Sequence, residues 1–147
     1  METENQIATA EVTIEAPISK VWEALVNPEL IREYMFGTTV TSNWTEGSSI
    51  TWIGEWKGKT YADKGEILIV EPESKLSYTH YSPMTGKEDI PENYNKVTID
   101  LYEAGEKTVL FLTQDNNDSK EEKEHSEENW LQMLNALKVL LEKSKNN

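Results

Sequence analysis

Residues 7–29, IATAEVTIEAPISKVWEALVNPE, decide the fold. Apolar and polar residues alternate over residues 7–15, and a period of two predicts a strand. After Pro17 the apolar residues are spaced i, i+3, i+4 and i+7, which predicts a short helix with these residues on one face: Ile18, Val21, Trp22 and Leu25. Asn27-Pro28-Glu29 then supplies a capping side chain, a proline for the first helical position and an acid for the first turn. We therefore expect a second short helix from Pro28 to about Tyr34.

The middle of the chain, residues 38–115, carries strand signals interrupted by five turn signals, which predicts about six strands in an antiparallel meander. One face of this sheet is apolar by alternation: Ile50, Trp52, Ile67, Ile69, Leu76, Tyr78, His80, Val97, Ile99, Leu101, Leu110 and Leu112. The opposite positions are mostly polar. A sheet with one apolar face needs a cover on that face.

The C-terminal segment supplies the cover, because its apolar residues recur at helical spacing: Trp130, Met133, Leu134, Leu137, Leu140 and Leu141. The helix begins either near Ser119, where Ser119-Lys120-Glu121-Glu122 has the form of a capping box, or near Ser126, and ends at about Lys143. The sequence thus predicts an α+β fold over a single domain, residues 1–147. In it a curved seven-stranded antiparallel sheet wraps around a long C-terminal helix, with two short helices after the first strand.

Charge and composition limit the partners. The chain has 147 residues, no cysteine, 27 acidic and 14 basic side chains, and a net charge of −13. Nucleic acids and anionic membranes require clustered Lys and Arg, so we expect neither as a partner. Multiply anionic ligands are disfavoured for the same reason, which favours a neutral ligand. No signal peptide or membrane-spanning run is present, and we expect a cytoplasmic protein.

Catalytic and metal-binding motifs are missing from the sequence. It contains no G-x-S-x-G, G-x-G-x-x-G, P-loop or H-E-x-x-H, and its two histidines, His80 and His125, have no ligand spacing. We therefore predict no metal and no cofactor. For His80 a hydrogen-bonded, inward-facing ring is favoured over a catalytic role, and for His125 an exposed position.

The aromatic residues are the most informative feature, since five Trp and six Tyr accompany only two Phe. Rings with polar tips between a curved sheet and a helix can line a cavity for a mostly apolar ligand. The candidate ligand-binding residues on these surfaces are Met35, Phe36, Trp52, Ile67, Tyr78, His80, Ile99, Leu110, Trp130, Met133 and Leu137. The alternative is a solid core of the same residues. Trp44 and Trp56 stay ambiguous, and exposure of both would favour a protein-interaction surface.

Several motifs occur in the order typical of one family. They are Ala16-Pro17, Val21-Trp22-Glu23-Ala24-Leu25, Asn27-Pro28-Glu29, residues 65–72, residues 76–79, residues 108–112 and residues 130–138. Together they resemble the domain related to the activator of the heat shock protein 90 ATPase, within the START-like, or SRPBCC, superfamily. The resemblance covers nearly the whole chain. One departure is Gln114, which stands where many relatives have a histidine at the end of the last strand.

The resemblance implies a helix-grip fold, in which the C-terminal helix packs across the sheet and a cavity often opens between them. It also implies ligands such as lipids, sterols, flavonoid-like or polyketide molecules, and in some members cyclisation or dehydration chemistry.

Three hypotheses for the function follow. The first is a small cytosolic protein that binds an apolar, lipid-, polyketide- or flavonoid-like molecule between the sheet and the helix. The second is a protein-interaction module, either a chaperone activator or a homodimer. The third is a cyclase- or dehydratase-type enzyme that uses His80 and Tyr78 as acid and base, because both lie on one strand face. The sequence favours a binding protein over an enzyme.

Overall fold

The computed structural model describes residues 6–145, except for the side chains of Trp56, Ser144 and Lys145. Its elements are β1 (Gln6–Ile14), α1 (Ile18–Val26), α2 (Pro28–Tyr34), β2 (Thr39–Ser42), β3 (Ser49–Trp56), β4 (Lys59–Glu71), β5 (Lys75–His80), β6 (Asn95–Ala104), β7 (Lys107–Asn117) and α3 (Lys120–Lys145). Two short 3₁₀ turns, Pro83–Thr85 and Pro91–Asn93, lie between β5 and β6. The predicted α+β fold is confirmed.

All seven strands form one antiparallel sheet in the order β1-β7-β6-β5-β4-β3-β2. Strands β2 to β7 are a meander, because each pairs with the next strand in sequence. The first strand, β1, is added beside the last, β7, where Ile14 pairs with Thr108 and Val12 with Leu110. This closing pair brings the N-terminal strand next to α3.

The two short helices begin where the sequence predicts. The Asn27 side chain accepts a hydrogen bond from the Glu29 N–H at 3.0 Å, and Pro28 occupies the first helical position of α2. The Tyr34 hydroxyl, near the end of α2, donates to the Ala24 carbonyl of α1 at 2.8 Å. This buried bond fixes α2 against α1.

Helix α3 takes the longer of the two predicted forms. It begins at Lys120, and the Ser119 hydroxyl accepts a hydrogen bond from the Glu122 N–H at 3.1 Å. Its second half carries the apolar face that is buried against the sheet and helices: Met133, Leu134, Leu137 and Leu141. Its first half is polar, so it meets the sheet through hydrogen bonds.

Helix α3 also runs along the outer edge of β1. There the Glu127 carboxylate accepts from the Thr9 N–H at 2.9 Å, and the Glu142 carboxylate accepts from the Glu15 N–H at 2.8 Å. Lys138 donates to the Thr13 carbonyl at 2.9 Å. Side chains of the helix thus satisfy backbone groups of an edge strand that a neighbouring strand would otherwise pair.

Strand β4 corrects one detail of the predicted apolar face. Ile67 pairs with Tyr78, but Ile69 pairs with Ser77 and Val70 with Leu76, so the register shifts by one residue between Ile67 and Ile69. An extra residue in one strand reverses the alternation beyond it. Val70 rather than Ile69 therefore packs against the core, and the prediction for Ile69 was wrong.

The same strand lies between β3 and β5. Its first part pairs with β3 up to Glu66 and its last part with β5 from Ile67 onward, while Lys64 also bridges Tyr81, just after β5. A side chain at Gly65 would overlap the backbone carbonyl of Thr79, so only glycine allows this close approach.

Candidate ligand-binding site

The space between the sheet and α3 is filled at one end and open at the other. At the filled end the side chains of Val21, Ile67, Leu110 and Leu134 are fully buried. A void of only about 20 Å³ remains beside this core, next to Trp44, Ile99 and Leu134. At the open end, between the sheet and the first half of α3, lies a cavity of about 610 Å³.

The structure brings seven of the candidate residues together around this cavity: Met35, Phe36, Trp52, Tyr78, His80, Trp130 and Met133. Ile99 instead lines the small void. Ile67, Leu110 and Leu137 are fully buried and line neither space. They share the apolar face of the sheet and helix with the cavity residues but lie at its filled end, a distinction that alternation alone does not make.

The cavity also has polar wall residues that were not among the candidate ligand-binding residues. They are Thr38, Tyr61, Asp63, Thr85, Asn95, Gln114, Glu122, His125, Ser126 and Asn129. Two of these carried a usable signal, because Tyr61 and Asp63 continue the alternation of Ile67 backward along β4. The α3 residues had no comparable signal, since the first half of the helix lacks an apolar stripe.

A histidine–aspartate pair lies in the cavity wall. The Nε2 atom of His80 is 2.8 Å from Oδ2 of Asp63, and the His80 ring meets the Trp52 ring edge-on with centroids 5.0 Å apart. The Asp63 side chain is 14% exposed, and its other oxygen, Oδ1, is buried without a hydrogen-bond partner. The prediction that His80 is an inward, hydrogen-bonded ring agrees with this geometry.

Tyr78 supplies a neutral hydroxyl to the same wall. Its ring lies 5.2 Å from that of Trp52, centroid to centroid, and its side chain is buried. Burial raises the pKa of the hydroxyl, which therefore stays protonated at neutral pH. Within residues 6–145 the Tyr78 hydroxyl has no hydrogen-bond partner, and Tyr78 lines the cavity, where a ligand can supply one.

Trp130 anchors the first half of α3 to the sheet. Its indole N–H donates to Oε1 of Gln114 at 2.5 Å. The Gln114 amide in turn donates to Oδ1 of Asn117 at 3.3 Å, and Ser126 of α3 donates to the same oxygen at 3.1 Å. Gln114, the residue that departs from the family pattern, thus positions one aromatic wall of the cavity.

Phe36 stands at the mouth of the cavity. Its side chain is 66% exposed and its backbone is left-handed, with φ of 55°. Just beyond it, the Thr38 hydroxyl and the Tyr61 hydroxyl lie 2.5 Å apart and join α2's end to β4. An exposed phenyl group beside an opening is a surface that an apolar ligand would cover.

Trp44 is half-buried against the core rather than exposed, whereas the Trp56 side chain lies outside the described residues. Within residues 6–145, no three His, Asp or Glu side chains are grouped so as to hold a metal ion. None of the helices in this part of the chain has the length and apolar character needed to span a membrane.

Residues 15–142 match the family described as Activator of Hsp90 ATPase homolog 1-like protein. The chain belongs to this family. The resemblance drawn from the ordered motifs is therefore confirmed. No match was found among curated proteins.

Solved structures give the same fold. The solution structure of ChR145 from Cytophaga hutchinsonii is 56% identical, with a TM-score of 0.86 and full coverage of both chains. DynU16, described as a protein in the dynemicin biosynthetic locus, is 21% identical with a TM-score of 0.79, over 95% of this chain and 48% of DynU16. The Aha1 dimer from Colwellia psychrerythraea is 17% identical with a TM-score of 0.73, over 95% of this chain and 96% of that one. The last two likenesses establish the fold alone.

Proposed function

We propose that this chain binds a mostly apolar small molecule in the cavity between the sheet and the first half of α3. The observation that carries the proposal is a space of about 610 Å³ with an aromatic wall at one open end of an otherwise filled core. This volume falls in the range of about 300–1,000 Å³ that small-molecule sites occupy.

The wall suits a ligand with an apolar body and one or two polar groups. Trp52, Trp130 and Met133 offer apolar surface, and the Tyr78 hydroxyl offers a hydrogen bond that can fix orientation. The fold neighbour DynU16 comes from a biosynthetic locus, which supports including small molecules of biosynthetic origin in a screen.

The test is an NMR and thermal-shift screen against flavonoid-like, polyketide-like and lipid-like compounds. A ligand of the cavity is expected to raise the melting temperature and to shift the resonances of Trp52, Tyr78 and Trp130. Shifts confined to residues outside the wall, or no binder at all, would contradict the proposal.

A variant whose side chain fills the cavity tests where the ligand binds, and the same substitution on the exposed face of the helix is its control. Asn129 lines the cavity, whereas Val139 on the same helix is 63% exposed to solvent. We expect Asn129→Phe to abolish ligand binding because the ring occupies the space, and Val139→Phe to leave it unchanged. Equal binding by both variants would place the ligand elsewhere.

A second candidate function is acid–base catalysis on the bound molecule. It is favoured by the contact of 2.8 Å between His80 and Asp63, because a carboxylate that orients an imidazole is a common catalytic arrangement. The neutral Tyr78 hydroxyl on the same strand would serve as the proton donor. If a compound found in the screen is converted, His80→Ala should remove turnover, and retained turnover would exclude this function.

A further inference from the structure

We propose that the cavity prefers organic cations, specifically apolar amines whose ammonium group lies near Asp63 and whose body lies against the aromatic rings. This inference rests on the proposed function and specifies its ligand class. It departs from the expectation of a neutral ligand, which rested on the net charge alone; that charge disfavours polyanions and does not disfavour a cation.

The Asp63 carboxylate is poorly solvated and only partly hydrogen-bonded. It lies in the cavity wall with its side chain only 14% exposed, and it receives one hydrogen bond, from His80, on Oδ2. Its Oδ1 atom is buried without a partner. When the imidazole is neutral, the pair carries one uncompensated negative charge in a poorly solvated place, which a cation in the cavity would offset.

No permanent cation in the described cavity wall competes for Asp63. Among the described residues that line the cavity, none is Lys or Arg. The neighbouring residue Lys64 forms an ion pair with Asp89 instead. The other wall carboxylate, Glu122, has a side chain that is 46% exposed, so water screens its charge more than that of Asp63. Asp63 is therefore the acid that gains most from a cation in the cavity.

The aromatic surfaces of the cavity also favour a cation. The face of an indole or phenol ring is negative and attracts a cation within about 6 Å of its centre. Trp52, Tyr78 and Trp130 all line the cavity. The same rings repel the charge of a carboxylate ligand.

Several donors of the wall are already in use. The Trp130 N–H donates to Gln114, the Tyr61 hydroxyl bonds with Thr38, and His80 Nε2 is held by Asp63. The neutral donors that remain include the Tyr78 hydroxyl and the Asn129 amide. Neutral donors suit an alcohol or an amine better than a carboxylate, which is bound most strongly by charged donors.

The experiment compares three probes that share one apolar body: 2-(aminomethyl)naphthalene, 2-naphthalenemethanol and 2-naphthoic acid. Affinities for the wild-type chain are measured by calorimetry at low salt and slightly alkaline pH, with NMR shifts of Trp52 and Trp130 to locate each probe. We expect the amine to bind about tenfold more tightly than the alcohol, and the acid to bind most weakly.

Asp63→Asn tests whether this order comes from Asp63. Glu128→Gln is the control, because Glu128 is exposed on α3 outside the wall and its substitution changes the net charge by the same amount. Asp63→Asn should reduce the affinity of the amine to about that of the alcohol and leave the affinity of the alcohol unchanged, whereas Glu128→Gln should alter neither affinity.

An alcohol that binds in the cavity as tightly as the amine would overturn the inference and leave the proposed function standing. Failure of all three probes to bind at millimolar concentrations would count against both. The order of the three affinities needs no variant, so it decides the matter even if Asp63→Asn does not fold.

Discussion

At the scale of single residues, Tyr34 shows how one buried hydroxyl holds two helices together. Its side chain is 2% exposed, and its hydroxyl donates to the Ala24 carbonyl at 2.8 Å. Tyr34→Phe would leave that carbonyl without a donor, and we expect a loss of about 1–3 kcal/mol in the free energy of unfolding.

Urea unfolding measures this loss. Tyr102→Phe is the matched control, because Tyr102 is 56% exposed and should change the free energy of unfolding by less than about 0.5 kcal/mol. Equal stability of the Tyr34→Phe variant and the wild type would show that the bond contributes nothing.

Tyr34 and Tyr78 together predict the alkaline behaviour of the protein. Burial raises the pKa of both hydroxyls, and at Tyr34 the nearby Tyr78 raises it further. The unfolded chain releases these protons from about pH 10 upward while the folded chain keeps them. The contribution of these two tyrosines to the free energy of unfolding is therefore fully present below about pH 10. It is lost as the pH rises further, by at most about 1.4 kcal/mol per pH unit for each tyrosine.

The measurement is the free energy of unfolding at a series of pH values between about 9 and 11. Tyr78→Phe removes one of the two titrating groups, so its stability should fall less steeply with pH than that of the wild type. Parallel curves for the two proteins would rule out a buried, neutral Tyr78.

At the scale of elements, Gly65 is the position where β4 lies against the backbone after Tyr78 of β5. A side chain there would overlap the Thr79 carbonyl, and relief is limited because the atoms that it meets are backbone atoms of Thr79 and His80. We expect Gly65→Ala to destabilise the fold by roughly 2–4 kcal/mol.

Gly54→Ala is the comparison for this substitution. A methyl group at Gly54 would meet the end of the Tyr61 side chain, which can rotate away, so the cost should be smaller. Thermal and urea unfolding of both variants would test this order, and a larger loss for Gly54→Ala would contradict it.

The elements also show what the sequence can and cannot predict. Alternation and capping residues predict the strands and the two short helices, and they offer Ser119 or Ser126 as the start of α3, because each is a local pattern. The structure has the first of these two starts. The register shift after Ile67 is not local, since it depends on how β4 meets β5. Within the site, the aromatic wall follows from periodicity, but the meeting of Asp63 with His80 depends on the pairing of distant strands.

At the scale of the whole molecule, the net charge of −13 should make stability depend on salt. Like charges on a compact chain repel one another more than on an unfolded one, and salt screens this repulsion. We expect sodium chloride to raise the melting temperature in calorimetry or circular dichroism at neutral pH. A fall in the melting temperature would mean that surface ion pairs, such as the one between Lys123 and Glu127, outweigh the repulsion.

The contact of α3 with β1 has a consequence for assembly. An edge strand with free backbone groups is a template on which another chain can add a strand and begin to aggregate. Here Glu127 and Lys138 already bond to backbone groups of β1, and Glu142 bonds to the N–H of Glu15 just after it, so an incoming strand would have to displace them. The acidic side chains also repel a second copy of this chain. Growth by strand addition is thereby directed to the opposite edge, where β2 offers only four residues.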